Sequence, residues 1–374
     1  MKPNKETQKN LNIVKNNKTK YLNHGSFKLK APPLAVVLSI RHLSLMLRSG
    51  LAIADALKVI STQAAHPNLK KIYAEMLVQV QAGSSLAENM KNYKNTFSDV
   101  VISIVNAGEQ GGSLEKNLIF LADYLKKDYE LKRKIKGALF YPMIVFVITI
   151  AEMLGVMFFI IPQLETLFNS FKNVGALTSF IINFTKFFRG NIIQLAVGGV
   201  SLFFGLKFFL KTKTGKSFKD RLALNFPIFN TLNKNTILTT FSRTLGILLE
   251  SGIPIAKALQ ISSETIGNGI YQKILSKVAI QIKEGQNLAD TLVKYPKYFP
   301  GNFVKLIEVG EQTGTLEENL LFLYEFYSED VEEMSSNFTT LIEPLLLVFV
   351  GLMIGLLAIS IVGPIYQLTS SIND

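Results

Sequence analysis

The sequence NAGEQGGSLEKNLIFL, residues 106–121, returns as EVGEQTGTLEENLLFL at residues 308–323. Ten of the 16 paired positions are identical, and the offset of 202 residues holds without a gap over residues 41–142 of the first copy. Each copy continues into a long apolar segment. The chain therefore consists of a duplicated soluble domain, with each copy attached to a segment that can enter a membrane.

The composition is that of a membrane protein with large soluble parts. The chain has 374 residues, of which 48% are hydrophobic, and a mean hydropathy of +0.27. It contains no cysteine, which excludes disulfides, thiolate catalysis and cysteine-based metal sites.

Much of the net charge of +12 lies in the first 30 residues, which hold eight lysines and one glutamate. Such a composition predicts a disordered basic cytoplasmic tail. The tail lacks the apolar core and cleavage site of a signal peptide. Because basic tails usually bind nucleic acid only non-specifically, we expect contact with membrane lipid or a solvated tail, and no direct nucleic-acid partner.

Three segments are long and apolar enough to be predicted transmembrane helices, namely 139–161, 191–210 and 341–363. Basic residues flank the first two on the sides facing the repeats, whereas the loop between these two spans has few. The positive-inside rule therefore places both repeats in the cytoplasm. The third span then sends the C-terminus outward.

The predicted fold class is an all-α membrane protein with two tandem homologous cytoplasmic six-helix bundles and three transmembrane helices. The predicted order along the chain is the tail 1–30, the first cytoplasmic domain 31–138, span 139–161, an external loop 162–190 with an amphipathic segment, span 191–210, the second cytoplasmic domain 211–340, span 341–363 and an external end 364–374.

Local signals predict the helices of the first repeat. The first helix ends at Ser49-Gly50, and a second begins near Ile53. A third runs over about 67–82, and Ser85 opens a short fourth with a capping-box pattern. A fifth covers about 98–107, and a sixth begins near residue 113 and continues towards the first span.

The repeated Gly-Glu turn is the candidate site. Its residues are Gly108, Glu109, Gly112 and Leu114 in the first copy and Gly310, Glu311, Gly314 and Leu316 in the second. The glycines can end one helix and turn the chain into the next, and each glutamate can accept from N–H groups at the following helix start. The alternatives are an acidic docking surface for a partner and, with little support, a phosphate site.

Motifs of enzyme chemistry are missing from the sequence. The GKS at 215–217 lacks the first glycine of a P-loop, and no HExxH or GxSxG occurs. The three histidines share no metal spacing. We therefore expect no enzyme activity, no cofactor and no metal, although a hydrolase triad is not excluded by residue inventory.

Two carboxylates fall within or beside predicted spans. Glu152 lies near the middle of the first, and Glu343 near the cytoplasmic entrance of the third. A charge in a bilayer is costly, so both are candidate functional residues. We expect Glu152 to be buried against another helix or subunit and Glu343 to form a hydrogen bond or reach the interface; a proton relay through Glu152 is the alternative.

The charge of the last helix differs between copies. KKDYELKRKIK at 126–136 aligns with SEDVEEMSSNF at 328–338. One hypothesis is that the cationic copy faces lipid or an acidic partner, while the anionic copy faces a basic partner or the opposite copy. The other is that the lysines and arginines only fix the orientation in the membrane.

Together these motifs resemble the GspF/PilC family of inner-membrane platform proteins, over residues 35–370. The matching features, besides the Gly-Glu turns, are Ser49-Gly50, Ser251-Gly252, Tyr141-Pro142, Glu343-Pro344 and Pro364-Ile365-Tyr366.

The resemblance implies a non-enzymatic platform in the bacterial inner membrane. Such a protein binds a cytoplasmic hexameric assembly ATPase, other inner-membrane assembly proteins and pilin or pseudopilin subunits, and forms homo-oligomers. It serves type IV pilus assembly, type II protein secretion or DNA uptake. A membrane permease is the alternative, and a membrane-bound hydrolase using Glu152 is a third reading.

Overall fold

The computed structural model describes residues 29–163, 176–210 and 227–371, together with the single residues 212, 215, 218 and 220. All regular structure in these ranges is helical, and no strand occurs there. The prediction of an all-helical chain is confirmed. The predicted tail at 1–30, except for its last two residues, lies outside the described residues, as do 164–175 of the external loop.

The first repeat contains helices α1 to α6. Their bounds are α1 Pro33–Arg48, α2 Ile53–Gln63, α3 Pro67–Gln81, α4 Leu86–Met90 followed by a 3₁₀ turn Lys91–Tyr93, α5 Asp99–Gln110 and α6 Leu114–Gly155. A π-helical turn, Val156–Ile160, continues α6. These bounds confirm the helix starts predicted near residues 53, 67, 85, 98 and 113.

Two helices follow the first apolar segment, and the second repeat then reproduces the order of the first. The bounds are α7 Ala176–Gly190, α8 Ile192–Phe209, α9 Pro227–Glu250, α10 Ile255–Thr265, α11 Gly269–Lys283, α12 Leu288–Leu292, α13 Gly301–Thr313 and α14 Leu316–Ser371.

The chain divides into two compact units. The first contains both repeats, as residues up to Lys132 together with Asn233–Glu329. The second contains Arg133–Leu232 and Asp330–Asp374, which include the apolar segments. Both repeats thus lie in one helical body. The first turns of α6 and α14 belong to this body, and the rest of each helix belongs to the second unit.

Each repeat buries an aromatic pair in its core. In the first, the ring of Tyr73 meets Phe97 edge-on at 6.2 Å, and its hydroxyl pairs with Ser39 at 2.8 Å. In the second, Tyr271 meets Phe299 at 5.6 Å. Phe97 and Phe299 are equivalent positions, but the two tyrosines come from different turns of α3 and α11, so the cores differ in detail.

Two helical stretches in the described ranges are apolar and long enough to cross a bilayer, Met143–Gln163 and Ile192–Phe209. They overlap the first two predicted spans. The third predicted span, 341–363, lies within α14, and its membrane crossing remains a prediction.

The last helix of each repeat continues unbroken into an apolar segment. α6 has 42 residues and α14 has 56, which correspond to lengths of about 63 and about 84 Å at 1.5 Å per residue. No loop therefore separates the Gly-Glu turn from the apolar part of either helix.

Candidate functional site

The carboxylate of Glu109 caps the short helix α4. Its two oxygens accept hydrogen bonds from the backbone N–H groups of Leu86, at 2.5 Å, and Ala87, at 2.9 Å. The hydroxyl of Ser85 accepts from the N–H of Glu88 at 3.1 Å. The first three N–H groups of α4, which have no partner within the helix, are thus all satisfied.

The second copy repeats this arrangement. Glu311 accepts from the N–H groups of Leu288, at 2.5 Å, and Ala289, at 2.8 Å. The expectation that these glutamates satisfy the following helix was wrong, because they reach back to the short helix that precedes α5 or α13. Glu109 and Glu311 lie in the last turns of α5 and α13, where the dipole of the helix disfavours a carboxylate. The positive N-terminal ends of α4 and α12 offset this effect.

Gly108 and Gly310 allow the backbones of the helices before and after the turn to come into contact. A Cβ atom at Gly108 would lie 2.8 Å from the Cα of Leu114, and one at Gly310 would lie 2.9 Å from the Cα of Leu316. Such separations are shorter than any ordinary carbon contact. Leu114 and Leu316 therefore mark the place where the backbones of successive helices make contact.

Gly112 and Gly314 reverse the chain between those helices. Their φ angles are +67° and +73°, in the left-handed region that glycine adopts without steric cost. In the second copy, the N–H of Gly314 bonds the carbonyl of Gly310, as in a left-handed helix cap. The predicted turn is confirmed in both copies.

An asparagine that sequence reasoning missed fastens each turn. Asn117 is buried on α6 and donates from Nδ2 to the carbonyl of Ile104 on α5 at 3.2 Å. Asn319 donates to the carbonyl of Leu306 at 2.9 Å. The signal was present, since both copies have asparagine three residues after the leucine that the two turns share.

The two repeats meet through Arg243 of α9. Its guanidinium lies between two rings, 4.6 Å from the centroid of Tyr124 and 4.9 Å from that of Tyr324. It also donates to the backbone carbonyls of Tyr124 and of Asp123, the latter at 3.4 Å. The hydroxyl of Tyr124 pairs with that of Thr244 at 3.2 Å.

Burial shapes the electrostatics of this contact. Desolvation lowers the pKa of Arg243, while Tyr324, Tyr124 and the nearby acids Asp128 and Asp123 oppose that shift. Burial likewise raises the pKa of Tyr124, helped by the charge of Asp128. Arg243 stays charged at neutral pH because an arginine starts far above it. The two repeats are thus joined by a buried arginine cation, which the ring faces of two tyrosines and the carbonyl oxygens of α6 stabilise.

A cleft of about 680 Å³ also lies between the repeats, where the turn of the first copy meets the start of α10. Gln110 and Asn106 line it from the first repeat, and Gly252, Lys257 and Ile261 from the second. Within the described residues, no group of three His, Asp or Glu side chains is placed to hold a metal ion.

The charged stretches of the last helices meet at an ion pair. Lys134 on α6 bonds both carboxylate oxygens of Glu332 on α14 at 2.7 Å. Cationic and anionic copies therefore do face each other at this point, as one of the two hypotheses expects. Both side chains are exposed, so the pair contributes about 0–1 kcal/mol.

Of the two acids in or beside the predicted spans, the structure describes the side chain of one. Glu152 is exposed on the surface of this chain, within the apolar part of α6. Its burial against another helix or subunit remains a prediction. The side chain of Glu343 lies outside the described residues.

Comparison with known proteins identifies the repeat. The family model of type II secretion system (T2SS) protein F matches residues 39–162 and again 241–364, at the same offset of 202 residues that the sequence shows. The chain belongs to this family. The resemblance to GspF/PilC proteins is confirmed, and both copies of the T2SS protein F repeat carry the Gly-Glu turn.

Named relatives match this chain in sequence over most of their own length. A type IV pilus assembly protein PilC of Thermus thermophilus is 32% identical over 334 residues, 89% of this chain and 82% of the relative. One from Myxococcus xanthus is 30% identical over 339 residues, 90% and 81% of the two chains. A type II secretion system protein F of Pseudomonas aeruginosa is 27% identical over 349 residues, 92% and 85%.

Replacing Glu109 with alanine is expected to destabilise the first repeat by about 1–2 kcal/mol, because two N–H groups of α4 lose a charged acceptor. Glu311→Ala is expected to act equally on the second repeat. Thermal unfolding of the purified chain in detergent measures both.

Glu115→Ala is the matched control, since Glu115 is exposed two residues beyond Ser113 and has no capping partner among the described contacts. A Glu109→Ala chain as stable as the Glu115→Ala control would show that the cap contributes nothing.

Proposed function

We propose that this T2SS protein F relative is a non-enzymatic platform in the bacterial inner membrane, for assembly of a type IV pilus or of a secretion or competence pseudopilus. Its cytoplasmic repeats dock a hexameric assembly ATPase. Its membrane part passes the motion of that ATPase to pilin or pseudopilin subunits as they leave the bilayer. The chain crosses the membrane several times, with its N-terminus in the cytoplasm and its C-terminus outside.

The continuity of α6 and α14 is the observation that carries this proposal. A helix transmits displacement along its axis because each turn is hydrogen-bonded to the next. In both copies the helix that begins at the Gly-Glu turn runs on into the apolar segment. Force applied to the repeats therefore reaches the membrane part without an intervening flexible loop.

Charge supports the proposed orientation. The lysines and arginines beside the first two spans lie on the sides of the repeats, which by the positive-inside rule puts both repeats where ATP and the ATPase are. The names of the relatives, type IV pilus assembly protein and type II secretion system protein, fit the same role.

The Gly-Glu turn takes part in docking through its shape. The oxygens of Glu109 and Glu311 are occupied by backbone N–H groups, so we assign them to building the docking surface. The neighbouring Gln110 and Gln312 are exposed at the same turns, and we assign them to contact with the ATPase.

A pull-down from detergent-solubilised membranes of the native host tests the proposal, with the tagged full chain as bait. Wild type is expected to recover a hexameric ATPase and pilin-like subunits. The variant Gln110→Lys with Gln312→Lys is expected to recover at least about tenfold less ATPase, because unpaired charges enter the interface. Its thermal stability is measured beside that of wild type, because Gln110 also lines the cleft between the repeats.

Gln63→Lys, the same change at an exposed position at the end of α2, serves as control and should recover ATPase normally. Glu109→Lys is less informative, because it also removes the cap of α4. Failure of wild type to recover either partner, from membranes shown to contain both, would overturn the platform proposal and favour a permease.

A further inference from the structure

The contact between the repeats joins unlike surfaces. The second repeat contributes the outer side of α9, around Arg243 and Thr244, and the first contributes α6, around Asp123 and Tyr124. Because the repeats are equivalent, each of these surfaces has a counterpart in the other copy that the contact leaves unused. Such a heterologous contact leaves two surfaces open: the counterpart of the α9 surface in the first repeat, and the counterpart of the α6 surface in the second.

The first open surface lies on α1, and we call it the α1 face. It consists of Leu34, Leu38, Arg41, His42 and Leu45. All five are exposed. Arg41 is equivalent to Arg243, and Leu45 is 49% exposed whereas its equivalent, Ile247, is 6% exposed. Three leucines on one side of a helix, around an arginine, form an apolar surface that is exposed among the described residues.

The second open surface lies on α14, and we call it the α14 face. It consists of Phe322, Glu325, Phe326 and Glu329. Phe326 is equivalent to Tyr124 and is 45% exposed, whereas Tyr124 is 9% exposed. Glu325 is equivalent to Asp123, and Asp330 to Asp128, so the acids that surround Arg243 have counterparts here.

We infer that copies of this chain join head to tail, with the α1 face of one copy seated on the α14 face of the next. Arg41 then lies over the ring of Phe326 beside Glu325, as Arg243 lies over Tyr124 beside Asp123. The α1 face is basic and apolar, and the α14 face is acidic and aromatic, so the two are complementary in charge and in character. First and second repeats then alternate along the assembly, and the contact between two chains reproduces the contact between the two repeats of one chain.

The lack of cysteine allows a direct test by cross-linking in native membranes. One tagged chain carries His42→Cys and a second, with another tag, carries Phe326→Cys; these positions match Thr244 and Tyr124, whose hydroxyls lie 3.2 Å apart. A short bifunctional maleimide is expected to join the two chains to each other, and neither to a copy of itself. Products between identical chains, or no mixed product from chains that co-purify, would overturn the inference.

Charge reversal tests the same contact without cysteines. Arg41→Glu in both of two differently tagged chains is expected to lower their co-purification by about tenfold, because like charges then meet at every contact between α1 and α14 faces. Adding Glu325→Arg to both chains should restore co-purification, since the charge pair is then reversed at every contact.

Lys70→Glu on α3, an exposed site that is not part of the α1 face, is the matched control and should leave association unchanged. Thermal unfolding of each variant shows that the repeats remain folded. Equal association of wild type and Arg41→Glu would contradict the inference, as would failure of the reversed pair to recover. The test requires no ATPase or pilin, so its result is independent of the proposed platform role.

Discussion

Arg243→Ala is expected to destabilise the helical unit of the two repeats by about 2–3 kcal/mol. The change removes a buried guanidinium from between Tyr124 and Tyr324, together with its hydrogen bonds to the carbonyls of α6. Part of the loss is regained, because the variant no longer buries a charge. Thermal unfolding in detergent, at concentrations where the chain is monomeric, measures the difference.

Arg243→Lys is expected to recover little of this stability. The planar guanidinium stacks on the two rings and donates in a fixed fork, and an ammonium group does neither. Arg41→Ala provides the control at the equivalent position, where the side chain is exposed and the expected change is within about 0.5 kcal/mol. A monomer that unfolds alike with Ala at 41 and at 243 would contradict the assignment of Arg243 to the contact between repeats.

Gly108→Ala is expected to cost about 2–3 kcal/mol, although alanine ordinarily favours a helix over glycine by about 1 kcal/mol. The added Cβ would lie 2.8 Å from the backbone of Leu114, and also 3.1 Å from the Cβ of Asn117. The obstacle is backbone, so α5 and α6 must separate. The hydrogen bond from Asn117 to α5 is then weakened as well.

Gly137→Ala is the matched control for this overpacking. Gly137 lies in the interior of α6, and a Cβ there meets no atom within 4 Å. It should leave the free energy of unfolding unchanged or raise it by up to about 1 kcal/mol. Gly310→Ala should repeat the Gly108 result in the second copy. Stabilisation by Gly108→Ala, in parallel with Gly137→Ala, would show that the helices of the turn are not in close contact.

Local signals in the sequence were enough to predict the helices and the turn. Ser85 and Ser98 cap helices that begin at the next residue, and Gly112 adopts a left-handed conformation where the pattern requires one. These features depend on a few neighbouring residues. They therefore survive in any tertiary context.

The partner of Glu109 was not predictable in the same way. Its carboxylate bonds N–H groups 22 and 23 residues earlier in the chain, and only the packing of α4 against α5 brings them together. Sequence reasoning correctly chose backbone N–H groups as the ligands, but chose the helix that is nearer in sequence. Asn117 was overlooked because an asparagine within a helix has no local signature of a tertiary hydrogen bond.

Arg41 and Arg243 mark the limit of repeat-based prediction. The two residues are identical and occupy equivalent positions, yet one is exposed and the other is 5% exposed. Nothing in either copy alone distinguishes them. The difference arises from which repeat has a neighbour on that side, and this is a property of the assembled chain.

Because α6 is unbroken, the number of residues between the Gly-Glu turn and the apolar segment determines how that segment is rotated and displaced relative to the turn. Each residue inserted into a helix turns everything beyond it by about 100° and moves it by about 1.5 Å. Insertion of one residue would thus present a different side of the apolar helix to its surroundings, whereas seven would nearly restore the rotational phase. The angular setting of the apolar part of α6 relative to the Gly-Glu turn is therefore determined by the number of residues between them.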